Sequence, residues 1–174
     1  MKMRSTLPTL LVLFLATTIA TTQSSSATAP GHGPSAFGQG AFTFFNGFRN
    51  EAWSFSFEAM ANKNGHARGR AIFGISDNFT ETQVVVKIDC LNVQSSSSGI
   101  SDAVITGTVL HSDDPDFPKR ANVVFGAEDS SGFPTTRADV ITPLFVIPFE
   151  GDCHDIGQPL TMFQLSPDAI TIEP

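Results

Sequence analysis

Beyond residue 36 the apolar residues come in short runs separated by Gly, Asn, Asp, Ser or Pro, and within the runs large apolar positions alternate with polar ones. Trp53, Phe55, Phe57 and Ala59 alternate with Ser54, Ser56 and Glu58, the period of two that lays one face of a strand on a core. Asn62-Lys63-Asn64-Gly65 then supplies residues that tolerate positive φ, so Ala67 to Ile75 is expected to return as the second arm of a hairpin, with the next turn at Asp77-Asn78. Thr82 to Val93 is the strongest strand pattern: Val84, Val86, Ile88 and Cys90 point one way and Val85, Lys87, Asp89 and Leu91 the other. Ala103 to Leu110 and Ala121 to Ala127 flank the polar loop His111 to Lys119 and read as another antiparallel pair. Val140 to Phe149 carries Pro143 and Pro148, which donate no amide hydrogen bond, and belongs at an edge. Leu160 to Leu165 and Ala169 to Ile172 read as short terminal strands. No ten-residue window shows helical periodicity with caps. The expectation is an all-β antiparallel sandwich or barrel of about eight or nine strands.

The first 36 residues follow another pattern. Lys2 and Arg4 precede an apolar stretch from Leu7 to Ala20, too short to cross a bilayer and suited to a secretory signal peptide over residues 1–20. Small residues allow cleavage after Ala20 or as late as Ala29, where Pro30 disfavours the cut. Residues 21–36, rich in Ser, Thr, Pro and Gly, read as a flexible lead-in, and 37–174 as a single domain. No later segment is apolar enough to span a membrane, so the expected location is extracellular, periplasmic or cell-envelope. Without Lys2 and Arg4 the ten basic side chains fall to eight against 17 acidic ones, deepening the charge from -7 to -9. Such a surface repels phosphate backbones and argues against nucleic acid as a partner.

Two cysteines, Cys90 and Cys153, lie in an exported chain, where one disulfide is the default. A metal or redox role calls for a second Cys or a His two to four positions away; Cys90 has neither, and His154 is directly adjacent to Cys153.

The ordered chain resembles a known group. Gly38-Gln39-Gly40-Ala41-Phe42-Thr43-Phe44, Phe55-Ser56-Phe57-Glu58-Ala59, Gly65 and Gly69, Val86-Lys87-Ile88-Asp89-Cys90-Leu91-Asn92-Val93 and Ile105-Thr106-Gly107-Thr108-Val109 with His111-Ser112 are similar to bacterial secreted β-rich domains related to the post-COAP family. The likeness runs over most of residues 38–172, to Cys153 and Ala169-Ile170-Thr171-Ile172, and departs at Glu128-Asp129-Ser130-Ser131-Gly132, where such relatives carry an Asp-Asn-Gly-Glu-Gly type of loop. It implies export and a β fold; the group has no assigned activity, so the likeness says almost nothing about chemistry.

Candidate chemistry is sparse. There is no Gly-x-Ser-x-Gly elbow, and His32, His66, His111 and His154 are isolated in loop-like contexts, so no catalytic residue is assigned. No cofactor is expected beyond calcium, for which convergence of Asp113, Asp114 and Asp116 with Glu128 and Asp129 would provide oxygen ligands; Asp139, Asp152 and Asp155 lie in other loops. Seventeen acidic residues make some glycosidase-like carboxylate pair inevitable, so a hydrolase is a minor alternative. Glycan platforms draw on Trp and Tyr, yet the chain has one Trp and no Tyr, and Trp53 shares a strand face with Phe55 and Phe57. Asn78-Phe79-Thr80 is a glycosylation sequon whose use depends on the host. Of the 16 Phe, Phe42, Phe44, Phe55, Phe57, Phe73 and Phe125 fall on strand runs and are expected to fill the core, whereas Phe48, Phe79, Phe117 and Phe133 fall in loops and form a candidate contact surface. The reading is an exported, non-catalytic structural or interaction module for an extracellular or envelope macromolecule, with a calcium- or glycan-binding module as the alternative.

Overall fold

Alternation of large apolar and small polar side chains makes strands of all the regular elements in the computed structural model, which describes residues 33–45, 50–62, 66–77, 80–132, 137–148, 152–157 and 162–174. The strands are β1 (Ser35–Phe45), β2 (Asn50–Ala61), β3 (Ala67–Ser76), β4 (Glu81–Ser95), β5 (Ser101–Ser112), β6 (Asn122–Asp129), β7 (Val140–Ile141), β8 (Phe145–Ile147), β9 (Phe163–Gln164) and β10 (Ile170–Glu173). They form one antiparallel sheet in the order β10-β1-β2-β3-β4-β5-β6-β7-β9, with β8 also on β6. The structure is thus a single curled sheet of the barrel type and not two facing sheets. Among the described residues the strands number ten, more than the expected eight or nine, because Pro143 splits the run after Val140: β7 pairs with Ala127 and Glu128, and β8 pairs with Asn122 to Val124.

The concave face holds the core. Phe42, Trp53, Phe55, Phe57, Phe73 and Phe125 are buried with Ile75, Val84, Val86, Ile88, Ile105 and Val109, and Phe44 packs against them half-buried. The rings meet edge-on or offset, as in Phe57 to Phe125 at 5.3 Å and Phe73 to Phe125 at 5.2 Å, geometries that the aromatic quadrupole favours. Gly38 lies directly across from Phe57 in the β1–β2 ladder, and a Cβ there would strike the Phe57 ring, so the glycine makes room for the aromatic side chain inside a tightly curved sheet.

One bulge reassigns a face. Ile88 pairs with Gly107 and Cys90 with Thr106, leaving Asp89 as an extra residue on β4. The expected alternation holds through Ile88, but after Asp89 it inverts: Leu91 enters the core and Cys90 turns to the convex face. Gly107 fits this kink because a Cβ would meet the Lys87 carbonyl oxygen. Asp89 is held outside by the Lys87 ammonium and by the Thr108 hydroxyl, which donates to it at 2.8 Å.

The curled sheet closes through side chains. Asp139 accepts hydrogen bonds from the amides of Ser130 (3.0 Å) and Ile170 (2.9 Å). Asp129 accepts from those of Ser131 (2.8 Å) and Ile172 (2.9 Å). Amides of β10 that face away from β1 thereby find acceptors on the β6–β7 side, and Phe163 of β9 stacks on Phe42 of β1 at 4.7 Å. On the convex face, the segment after β8 folds back and Cys153 bonds to Cys90, with Val104 and Val124 buried beneath it. The expected disulfide is present, with Cα atoms 5.7 Å apart.

Candidate functional site

Turns and loops gather at the end of the sheet where β1, β3 and β5 finish. There Phe44, Glu51, Trp53, Ile75, Asp77, Thr80, Thr82, Asp114, Asp116, Phe117 and the Pro143 to Phe145 stretch enclose a cavity of about 220 Å³. Its floor is aromatic: Trp53 is 4% exposed and meets Phe117 edge-on at 6.2 Å. Among the described residues its polar lining comes from four carboxylates and two threonines.

Three of the four carboxylates are held by local geometry. Glu51 shares the inward parity of Trp53 two residues later, is 8% exposed, and accepts the indole N–H at 3.1 Å. Asp77 ends β3 and accepts from both the amide (2.7 Å) and the hydroxyl (3.0 Å) of Thr80, the Asx geometry that tightens a turn. Asp114 accepts the Thr82 hydroxyl at 3.0 Å and the Asp116 amide at 2.9 Å, tying the loop after β5 to the start of β4. The arrangement gathers carboxylates over an apolar floor, a lining that suits a cationic group carried on an apolar stem.

The acidic residues expected to converge do so only in part. Asp114 and Asp116 line the cavity, whereas Asp113 points outward and pairs with His111 at 3.2 Å. Glu128 and Asp129 lie at the opposite end of the twelve-residue β5, where Asp129 pairs in register with Ser101. At about 3.3 Å per residue the two groups are roughly 35 Å apart, so the five residues do not form one calcium site. Glu128 instead receives Arg137 at 3.0 Å and the Ser130 hydroxyl at 3.1 Å, and Asp129 bonds backbone amides.

Across from Glu128 on the convex face sits Asp102, whose carboxyl is pushed above its ordinary pKa by burial and then by the Glu128 charge, with Arg137 acting in the opposite direction. This acidic pair lies far from the cavity. Trp53 is in the core and presents no open platform for a sugar. Phe117, one of the four loop phenylalanines, is 8% exposed and turned inward to Trp53, so it joins the floor of the cavity and not an outward contact surface. Phe48, Phe79, Phe133 and the Asn78 sequon lie outside the described residues.

Sequence reasoning did not single out Glu51 or Asp77. A readable sign existed for Glu51: an acid on the core face of an alternating strand. The fold also assembles a group that chain spacing concealed. Cys90, Asp152, Cys153 and His154 place one potential ligand atom each within 4.8 Å of one another. Comparison of the chain with family models, with curated proteins and with solved structures finds no match.

Proposed function

We propose that the protein is an exported, non-catalytic interaction module that receives a basic side chain of an extracellular or envelope macromolecule in the cavity at the open end of the sheet. The observation that carries this reading is the lining itself: Glu51, Asp77, Asp114 and Asp116 gathered over Trp53 and Phe117. Size argues the same way, because about 220 Å³ lies below the roughly 300–1,000 Å³ typical of small-molecule pockets and suits one side chain better than a glycan ring system. An aliphatic stem would pack on the aromatic floor while its ammonium or guanidinium met the carboxylates. The resemblance to secreted post-COAP-like domains is in keeping with export, as is the disulfide.

The test is a pull-down from the native cell-surface fraction with wild-type protein and with an Asp114→Asn/Asp116→Asn variant, paired with titration of N-acetyl-lysine amide and N-acetyl-arginine amide followed by Trp53 fluorescence. Capture and a fluorescence change that the variant loses are expected. Equal capture by the variant and no fluorescence response would overturn the reading. A second occupant follows from the same carboxylates: if calcium raises the Tm of chelator-treated wild type and not of the variant, the cavity holds a metal ion instead.

A further inference from the structure

Around the disulfide, four potential ligands of three chemical kinds converge from two parts of the chain. Cys90 arrives on the convex face of β4 because of the bulge at Asp89, while Asp152, Cys153 and His154 come from a single turn after β8. The Cys90 sulfur lies 3.4 Å from Asp152 Oδ1, and all four ligand atoms fall within 4.8 Å of one another. Asp152 and His154 are exposed, Cys90 is half-buried and Cys153 is fully buried, so one side of the group is open and the other rests on protein.

We infer that these residues form a latent zinc site that opens when the disulfide is reduced. Two thiolates, an imidazole and a carboxylate make an S₂NO donor set that suits tetrahedral Zn²⁺. With Zn–S near 2.3 Å and Zn–N or Zn–O near 2.0–2.2 Å, the ligand atoms of such a site stand about 3.5–3.8 Å apart. The present spacing therefore needs shifts on the order of 1–2 Å, within reach of side-chain rotation once the sulfurs are released from each other. Supporting bonds are already in place. The Cys153 amide donates to the Cys90 sulfur at 3.1 Å, and the Asn92 side-chain amide donates to the Cys153 carbonyl at 3.3 Å. Asp152 Oδ1 accepts the His154 amide at 3.0 Å, which fixes the turn that presents both side chains. Such contacts orient ligands and stabilise thiolate charge.

The chemistry balances with a dithiol as reductant. The dithiol passes two electrons to the S–S bond and becomes a cyclic disulfide, its two protons ending on Cys90 and Cys153. Zn²⁺ then displaces both thiol protons to solvent as two Zn–S bonds form. In the oxidised chain the sulfurs carry no thiolate charge and the ion is not held. The site thus reads the thiol redox state and the metal together.

Co²⁺ serves as the spectroscopic probe. The purified chain is reduced with a trialkylphosphine, which takes oxygen from water to become the phosphine oxide, and is titrated with Co²⁺ under anaerobic conditions beside the oxidised chain. One Co²⁺ per reduced chain is expected, with near-ultraviolet thiolate charge transfer and tetrahedral visible bands, displaced by Zn²⁺ and absent from the oxidised chain. His154→Ala and Asp152→Asn, both at exposed positions, should each weaken binding about tenfold or more. Far-ultraviolet circular dichroism follows the fold throughout. Absence of the charge-transfer band overturns the inference, as does wild-type affinity in both variants, or a reduced chain that loses its β spectrum and does not regain it with Co²⁺.

Discussion

At the scale of single residues, carboxylates decide more than any other group, and neighbouring acids have different consequences. Asp89, Asp129 and Asp139 are each matched to donors, so their charge is compensated locally. Asp102 is the exception. It faces Glu128 directly across the β5–β6 ladder, where like charges oppose pairing, and Arg137 bonds Glu128 and offsets only part of the field at Asp102. Burial is the larger cause of its raised pKa, and both causes disfavour the ionised form. Between the unfolded carboxylate pKa and the higher folded one, the folded chain binds more protons than the unfolded one. Stability therefore falls as pH rises through that window, and the full penalty is present above the folded value. Asp102→Asn removes the penalty. At pH 7 it should raise Tm by up to about 4 °C, corresponding to less than about 1 kcal/mol for a partly solvated group. The gain should shrink as pH falls through the unfolded Asp pKa of about 3.9 and vanish near about pH 3, where the wild-type carboxyl is protonated in both states. Tm measured against pH for the two proteins checks this; a constant gain at every pH would show that charge is not the cause.

At the scale of elements, the short β10 governs closure of the sheet. An edge strand exposes a row of amides, and here those of Ile170 and Ile172 are taken by Asp139 and Asp129 in place of another strand. Asp139 is 1% exposed and serves two amides, so Asp139→Ala would leave both without an acceptor in a site closed to water. The expected loss is about 2–5 kcal/mol in urea unfolding, with Asp139→Asn intermediate because its single amide oxygen replaces two carboxylate oxygens. An alanine variant within about 0.5 kcal/mol of wild type would mean that β10 is held by its β1 ladder alone. Period-two patterning made β2 to β6 legible, since their cores are built from residues two apart, such as Phe55 and Phe57 on β2. The ends of the pattern were less so. The bulge at Asp89 depends on pairing with β5, which no local pattern encodes, and it alone moved Cys90 to the outer face. The split at Pro143 was half-visible: the proline signalled an edge, but two short strands sharing β6 follow from the length of β6.

Across the whole molecule, the chain builds a meander from β1 to β6 and then spends its last quarter closing it, with β7 and β8 on β6, β9 on β7 and β10 back on β1. This return path explains why the candidate sites were hardly legible in sequence. The cavity draws on Glu51, Asp77, Asp114 and Leu144, and the ligand group on Cys90 and the turn from Asp152 to His154, so both exist only after long-range closure. The same path gives the disulfide a global task, because it ties the middle of the returning segment to the fourth strand of the meander across 63 residues. Constraining a loop of that length in the unfolded chain is worth about 4 kcal/mol. Cys90→Ala/Cys153→Ala is the suitable variant, since Cys153 is fully buried and serine would leave a hydroxyl there. Its Tm should fall by roughly 10–15 °C. Hydrogen exchange should accelerate first in β8, β9 and β10, while β2 to β5, paired on both sides within the meander, keep their protection. Uniform acceleration over all strands would instead make closure and meander one cooperative unit, and an unchanged Tm would remove the staple from the energetics altogether.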